Sequence, residues 1–148
     1  MIRIMVQPDP FDSALEEAML RKSDLDIGAT VSFTGYVRGE GDSLASMTLE
    51  HYPGMTERQL ADIAERATDR WPLNGLTVIH RYGTLEPGDP IVLVIAASRH
   101  RTHAFEAASF VMDFLKSEAP FWKKERSNKG EHWVEARKKD EDALDRWS

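Results

Sequence analysis

Basic and imidazole side chains concentrate in one stretch of the sequence, between residues 98 and 125. An apolar run directly before this stretch predicts a strand, so the cluster begins at a strand-to-helix junction. Arginine together with helix-start amides favours binding of a phosphate or a carboxylate. Arg101 at this helix start and Arg38 at the end of an earlier strand could bind such an anion. The alternative for both is a surface ion pair with one of the 25 acidic residues, and composition alone favours that alternative. The side chains concerned are Arg99, His100, Arg101, His103, Lys116 and Lys123.

Two lysines in this stretch, Lys116 and Lys123, are candidates for chemistry. At about 100° per residue, Lys116 falls almost in line with Phe105 and Met112, on a stripe that we predict to face the core. Burial disfavours the charged ammonium, so a lysine there could act as a nucleophile, a proton donor or acceptor, or an anion clamp. A lysine near a helix C-terminus can instead extend its ammonium to solvent. The sequence leaves both alternatives open.

Two histidines three residues apart, His100 and His103, could ligate a metal ion from one side of a helix. The sequence offers no third ligand at a recognisable spacing, and the neighbouring arginines Arg99 and Arg101 would repel a cation. We therefore expect no metal site. His100 is favoured as a contact for substrate or phosphate, and His103 as a capping or packing residue.

Composition limits the classes of function. A chain of 148 residues, 41% hydrophobic and 30% charged, predicts one globular domain over residues 1–148. Because there is no cysteine, disulfides, thiolate metal sites and a cysteine nucleophile are excluded, and any sulfur chemistry needs an outside donor. The net charge of −6 argues against general affinity for nucleic acid. We find no secretory signal and no membrane-spanning segment, so we expect a cytoplasmic protein.

The first half of the chain mixes short strands with helices. Residues 2–6 predict a strand, and a capping box formed by Ser13 and Glu16 predicts a short helix after it. Strict alternation over residues 27–37 predicts a half-buried strand, and we expect it to form an antiparallel hairpin with residues 45–51 across the turn at 39–43. A second capping box, Thr56 with Gln59, begins a long amphipathic helix that ends at Pro72.

The second half predicts two further strands, a helix and a hairpin. Residues 76–82 read as a strand, and residues 91–97 form a continuous apolar run typical of a buried central strand. The helix that follows stops at Pro120. A last hairpin is predicted over residues 121–126 and 132–136, and the charged tail 137–147 is expected to dock as a short helix. The predicted class is α+β, with antiparallel sheets and three main helices.

Several motifs then resemble one known family. They are FTGYVR (33–38), LEHYPGM (49–55), IHRYG (79–83), His100-Arg101 followed by AFEA (104–107), and LKSEAPFWKKE (115–125). Together they resemble the large, catalytic subunit of molybdopterin synthase, in family order and over about residues 11–147. The resemblance implies an α/β hammerhead fold and a homodimer within a heterotetramer. One small ubiquitin-like subunit would sit at each end.

The resemblance also implies a reaction and a site. The small subunit would carry a C-terminal Gly-Gly thiocarboxylate, and two sulfurs, one from each of two such groups, would move onto cyclic pyranopterin monophosphate to make the dithiolene of molybdopterin. No cofactor is implied. Carried over by motif, Lys116 and Lys123 would be catalytic. The residues implied to bind the substrate, line the pocket or support the site are Arg38, His100, Arg101, Phe33, Met112 and Arg137. The turn at 39–43 is shorter than in some relatives, which puts contacts just after Arg38 in doubt.

Two other classes of function stay open at this point. The first is a module that binds single-stranded nucleic acid through the aromatic and basic side chains of residues 121–124. The acidic net charge speaks against this class. The second is a scaffold whose pocket docks a partner's C-terminal tail without chemistry. Only turnover would separate that scaffold from the synthase.

Overall fold

Eight strands and three α-helices make up the part of the chain that the computed structural model describes, residues 1–41, 43–118, 121–127, 130–134 and 142–147. In chain order they are β1 (Ile2–Gln7), α1 (Ser13–Ser23), β2 (Ala29–Tyr36), β3 (Leu44–His51), α2 (Met55–Arg70), β4 (Leu73–Arg81), β5 (Gly83–Leu85), β6 (Pro90–Ser98), α3 (Arg101–Glu118), β7 (Phe121–Ser127) and β8 (Gly130–Val134). A 3₁₀ helix at Leu144–Trp147 follows. Among the helices that the structure describes, none combines the length and apolar character needed to cross a lipid bilayer.

The strands form two four-stranded sheets. The first sheet has the order β1-β4-β6-β2, with β1 and β4 parallel and the other neighbours antiparallel. The second sheet has the order β5-β3-β7-β8 and is antiparallel throughout. The predicted α+β class is therefore confirmed.

The first sheet is covered by helices on both faces. Its central strands β4 and β6 are buried over almost their whole length, as the apolar run at 91–97 predicted. Because side chains alternate along a strand, one set packs with α2 and α3 and the other packs toward α1. The first set includes Val78, Val92, Val94 and Ala96, and the second includes Ile79, Leu93, Ile95 and Ala97.

The hairpin predicted between β2 and β3 is wrong, because the two strands belong to different sheets. β2 pairs with β6, whereas β3 pairs with β5 and β7. After β2, Val37 exchanges backbone hydrogen bonds with the turn before β6, donating to Asp89 (2.9 Å) and accepting from Gly88 (2.8 Å). The chain then crosses to the second sheet, where buried Val37 and Leu44 share an apolar cluster. Alternation identified both strands correctly, but it carries no information about a strand's partner.

The helices lie where they were predicted, with different caps. Asp12 caps α1 by accepting a hydrogen bond from the Leu15 amide (3.1 Å), while buried Glu16 instead accepts from Arg3 of β1 (2.8 Å). At α2, Gly54 is the N-cap at a φ of +83°, and the Glu57 carboxylate accepts from its amide. The two capping boxes predicted from sequence are therefore wrong by one or two positions, although both helices exist.

The C-terminal elements agree with prediction where they are described. β7 and β8 form the expected antiparallel hairpin. Trp147 of the 3₁₀ helix packs edge-to-face on Trp71 and Phe110, with ring centroids 5.6 and 5.4 Å apart, so the end of the tail is docked. Pro120, residues 135–141 and with them Arg137 lie outside the described residues.

Candidate active site at the junction of the two sheets

Lys116 is exposed, which corrects the prediction that it lies on a core-facing stripe. The buried stripe of α3 runs through Ala104, Ala107, Ala108, Val111 and Leu115. Phe105, Met112 and Lys116 do share one line, but it lies about 100° around the helix from the centre of that stripe. Phe105 is accordingly 61% exposed, and Met112 is only partly buried against the core. The second alternative holds, since the ammonium of Lys116 reaches solvent.

The C-terminal end of α3 lies beside the end of β4. The charge of Lys116 acts on the ring of His80, which is the penultimate residue of β4. The chain returns at Phe121, the first residue of β7, and its ring stacks on His80 with centroids 3.7 Å apart and planes at 19°. A helix end, a strand end and a strand start therefore meet at this junction.

A second ring pair lies at the same junction. His51, the last residue of β3, stacks on Tyr82 with centroids 4.0 Å apart. Its Nε2 atom lies 3.9 Å from the Glu57 carboxylate near the start of α2. His51 is also the register partner of Phe121 in the β3–β7 ladder, so the two ring pairs are adjacent.

Lys123 emerges from the inward face of the second sheet. It is half-buried, and its register partner on β3 is Leu49, which is buried. Because side chains alternate along β7, Lys123 shares this face with Phe121 and with buried Glu125. Lys123 therefore lies two residues beyond the His80–Phe121 stack, on the side of β7 that faces the interior.

Lys124 points the opposite way and serves a structural role. Its ammonium forms an ion pair with Glu131 on β8 (2.9 Å) and lies 5.7 Å from the ring centre of Trp133. The hydrogen bond from Lys124 lowers the pKa of Glu131 below its ordinary value.

The residues predicted to bind the substrate divide between two ends of the first sheet. β2 runs antiparallel to β6 from the pair Ala29–Ser98 to the pair Tyr36–Pro90. His100 and Arg101 follow Ser98 at one end, and Arg38 lies just past Tyr36 at the other. An eight-residue strand separates these ends by roughly 25 Å. One chain alone therefore does not bring Arg38 together with the pair at the start of α3.

The pocket-lining candidates lie between these ends, on the face that α3 covers. Phe33 is opposite Val94 in mid-strand, shares a face with Val31, and is 42% exposed. Met112 lies two turns beyond the start of α3 and packs on the same core cluster. The lysines and Arg38 thus lie at one end of the sheet, His100 and Arg101 at the other, and Phe33 and Met112 between.

Three cationic or imidazole candidates are available for a ligand. Within the described ranges, Arg38, His100 and Arg101 are exposed and form no ion pair, so the surface ion pairs that composition favoured are absent there. Arg99 differs, because it pairs with Asp26 across 3.2 Å. A side chain at Gly28 would overlap the Arg99 carbonyl, so this glycine lets the chain before β2 pack against the segment that presents His100.

Comparison with known proteins identifies the family. A family model described as MoaE protein matches residues 6–118. The chain belongs to this family. The molybdopterin synthase catalytic subunit of Escherichia coli K12 is 54% identical over 147 residues, which cover 98% of this chain and 97% of that protein.

Solved structures agree with the family assignment. A MoaE protein from Burkholderia ambifaria superposes with a TM-score of 0.87 at 50% identity, covering 99% of this chain and 98% of that one. A structure titled molybdopterin synthase from Staphylococcus aureus gives a TM-score of 0.76 at 28% identity, covering 90% and 96%. The resemblance read from the sequence motifs is confirmed.

In this MoaE-family chain, sequence reasoning gave no role to four residues that build the junction: His51, His80, Arg81 and Tyr82. Three of them belong to the IHRYG motif, where polar residues continue a buried apolar strand, and that interruption was the available signal. Arg81 is 8% exposed, and its guanidinium donates to the carbonyls of Pro8 (3.2 and 3.0 Å) and Pro90 (3.0 Å). It therefore fixes the end of β4 to the segment after β1 and to the first residue of β6.

The histidines at the start of α3 form no recognisable metal site. The rings of His100 and His103 are 6.4 Å apart, and the Nδ1 atom of half-buried His103 has no hydrogen-bond partner among the described residues. No group of three or more His, Cys, Asp or Glu side chains within the described ranges is arranged to hold a metal ion.

His80 is neutral at physiological pH. Burial lowers its pKa from 6.5 to about 4, a hydrogen bond to the Arg81 backbone opposes this, and the charges of Lys116 and His51 lower it further. The Nδ1 atom lies 2.8 Å from the Arg81 carbonyl oxygen. A carbonyl only accepts, so Nδ1 carries the proton and Nε2 carries the lone pair.

Acid should destabilise the fold through His80. The unfolded chain takes up a proton on this residue below about pH 6.5, whereas the folded chain does so only near pH 4. The contribution of His80 is therefore complete above pH 6.5 and is lost as the pH falls toward 4. We expect its share of the unfolding free energy to be about 2 kcal/mol smaller at pH 5 than at pH 7.5.

Urea unfolding at the two pH values measures this loss, with His80→Phe as the matched variant. The variant keeps a ring at the position but cannot titrate, so its unfolding free energy should fall less between pH 7.5 and pH 5. Carboxylates with a lowered pKa, such as those of Asp24 and Glu131, contribute equally to both proteins and cancel. Equal pH dependence in the two proteins would contradict the assignment.

Proposed function

We propose that this chain is the catalytic subunit of a molybdopterin synthase, an enzyme that transfers sulfur from a small ubiquitin-like partner to cyclic pyranopterin monophosphate. Identity above 50% over nearly the whole of both chains, to proteins named molybdopterin synthase catalytic subunit, supports this most strongly. Because those proteins are named as subunits, a partner chain is also favoured. Location in the cytoplasm stays a prediction from the sequence.

A cysteine-free chain suits a reaction in which the sulfur arrives on a partner. A C-terminal Gly-Gly thiocarboxylate on the small subunit would supply it. Each transfer breaks the carbon–sulfur bond of one thiocarboxylate and forms a carbon–sulfur bond on the pterin side chain. A carbon–oxygen bond breaks at the same side-chain carbon, and that oxygen leaves as water or stays on the phosphate. A carboxylate remains on the small subunit, its new oxygen coming from water. Two transfers complete the dithiolene.

Lys116 and Lys123 are the groups we propose for this step. They approach the sheet junction from α3 and from β7, one exposed and one half-buried. One would assist proton transfer as the sulfur adds, and the other would stabilise the negative charge that develops. The extended C-terminal tail of a partner would have to reach this junction.

The cationic side chains without ion pairs suit the anionic substrate. Arg101 and His100 stand at the start of an 18-residue helix, where exposed amides add to their attraction for a phosphate. Arg38 offers a second guanidinium, which can bind phosphate oxygens in a fork. Phe33 and Met112 would line the apolar part of the pocket beside the pterin.

The division of these residues between two ends of the sheet favours a homodimer. If a second copy packs so that its His100 and Arg101 face the junction of the first, each site gains both halves. Such a dimer would bind one small subunit per site, giving a heterotetramer. Arg137 is proposed to support the site from the neighbouring copy, although it lies outside the described residues.

Reconstitution tests this function against a scaffold that only docks the partner's tail. The chain is mixed with thiocarboxylated small subunit and cyclic pyranopterin monophosphate, and the dithiolene product is measured. We expect product with the thiocarboxylate form and none with the carboxylate form, which is the matched control. Partner binding without product would favour the scaffold, and salt-sensitive binding of a single-stranded oligonucleotide would favour a nucleic-acid module.

A further inference from the structure

His80 is a buried polar residue for which the sulfur-transfer chemistry has no direct use. It is 7% exposed, and its neighbours across the ladders are Val6 of β1 and Val92 of β6. An imidazole at such a position is desolvated, and its one hydrogen bond to the described part of the chain is to the Arg81 carbonyl. An apolar side chain would be easier to bury there, so the ring calls for a reason beyond core packing.

The stacking of His80 on Phe121 supplies a reason for the buried ring, because it connects the two sheets. His80 belongs to the first sheet and Phe121 to the second, and their rings are nearly parallel at 3.7 Å. The neighbouring His51–Tyr82 pair makes the same kind of connection between β3 and the residue after β4. Two ring pairs therefore hold the β3–β7 ladder against the end of β4.

The position of Lys123 depends on this connection. Lys123 follows Phe121 by two residues on the same face of β7, about 7 Å further along the strand. Lys116 is fixed separately, by the packing of α3 on the first sheet. The spacing between the two lysines is thus set by how β7 is attached to the first sheet.

We propose that His80 is a positioning residue whose neutral ring, stacked on Phe121, fixes the start of β7 and so sets the distance between Lys116 and Lys123. The inference rests on the proposed roles of the two lysines. A neutral ring suits this task, since a protonated His80 would face the ammonium of Lys116 from α3 and the imidazole of His51 from β3.

Four variants test the proposal: His80→Ala, Phe121→Ala, the double variant, and His80→Phe, which restores a flat ring. In the reconstituted assay, we expect each alanine variant to lower kcat by about 10- to 100-fold while KM for the pterin changes little. The double variant should be no slower than the slower single variant, because both remove the same stack. His80→Phe should recover most of the lost kcat.

A second measurement does not depend on turnover. The yield of a short amine-reactive cross-link between Lys116 and Lys123, read by mass spectrometry, should fall in the alanine variants and return in His80→Phe. Absence of dithiolene from the unchanged protein would overturn the proposed function, while the cross-link would still test the spacing.

Several outcomes would overturn the positioning role. One is His80→Ala with unchanged kcat and cross-link yield but lower stability in urea, which is the signature of core packing alone. Multiplicative losses in the double variant, or no cross-link in the unchanged protein, would do the same. If His80→Ala does not fold, normal kcat in Phe121→Ala, whose position is only partly buried, is sufficient to reject the proposal.

Discussion

Replacing Lys123 by alanine is expected to lower kcat for sulfur transfer by about 100-fold or more, because the change removes a charged group that takes part in proton transfer or charge stabilisation. Lys123 lies on the inward face of β7, two residues beyond the His80–Phe121 stack. The rate is measured in a single turnover with saturating thiocarboxylated small subunit, so that partner binding does not limit it.

Lys124→Ala is the matched control for this experiment. It removes the same charge from the next residue, on the opposite face, where the ammonium pairs with Glu131 (2.9 Å). We expect its rate to stay within about twofold of the unchanged protein, since an exposed ion pair contributes little. Full activity in Lys123→Ala would remove that lysine from the mechanism, and an equal loss in both variants would point to a general effect of charge.

Mixing two inactive variants is expected to restore activity if the site is shared between copies of the chain. One variant carries Lys123→Ala and the other carries His100→Ala with Arg101→Ala. In a mixed dimer, one site receives both defects and the other receives none. Random co-assembly should then recover about a quarter of the unchanged activity, because half the dimers are mixed and half of their sites are intact.

The control for this prediction is a mixture of two single variants, one with Lys123→Ala and the other with Lys116→Ala. Both lysines lie at the same end of the first sheet, so a mixed dimer has one damaged lysine in each site and should recover no activity. Recovery in this control would mean that the two lysines of one site come from different copies. No recovery in the first mixture, with dimers confirmed by mass, would mean that the second copy does not supply His100 and Arg101 to the site that contains Lys123.

The elements of the fold followed from local patterns. Continuous apolar residues at 91–97 required a strand buried on both faces, and β6 is that strand. The pairing of β2 did not follow, because alternation is the same whichever strand lies alongside. After β2, backbone hydrogen bonds join Val37 to the turn before β6, and the chain then leaves the first sheet to form β3 in the second.

The candidate site was predictable in its residue types but not in its geometry. Lys116 was aligned correctly with Phe105 and Met112, yet the buried stripe through Ala104, Ala108 and Leu115 lies about 100° away. Phe105 indicated the wrong face because its side chain is exposed, whereas the other ring in that part of α3, Phe110, is buried. The roles of His51 and His80 could not be predicted, since each depends on a ring contributed by another strand or turn.

The sequence by itself determined the α+β class, the family motifs, the need for an outside sulfur donor and the two lysines as candidates. These follow from residue type and short-range spacing, which do not depend on how the chain folds. Only the tertiary structure decided that each lysine lies near the junction of two sheets and that His100 and Arg101 lie roughly 25 Å away. Such long-range placement comes from strand pairing and burial, which bring together residues far apart in sequence.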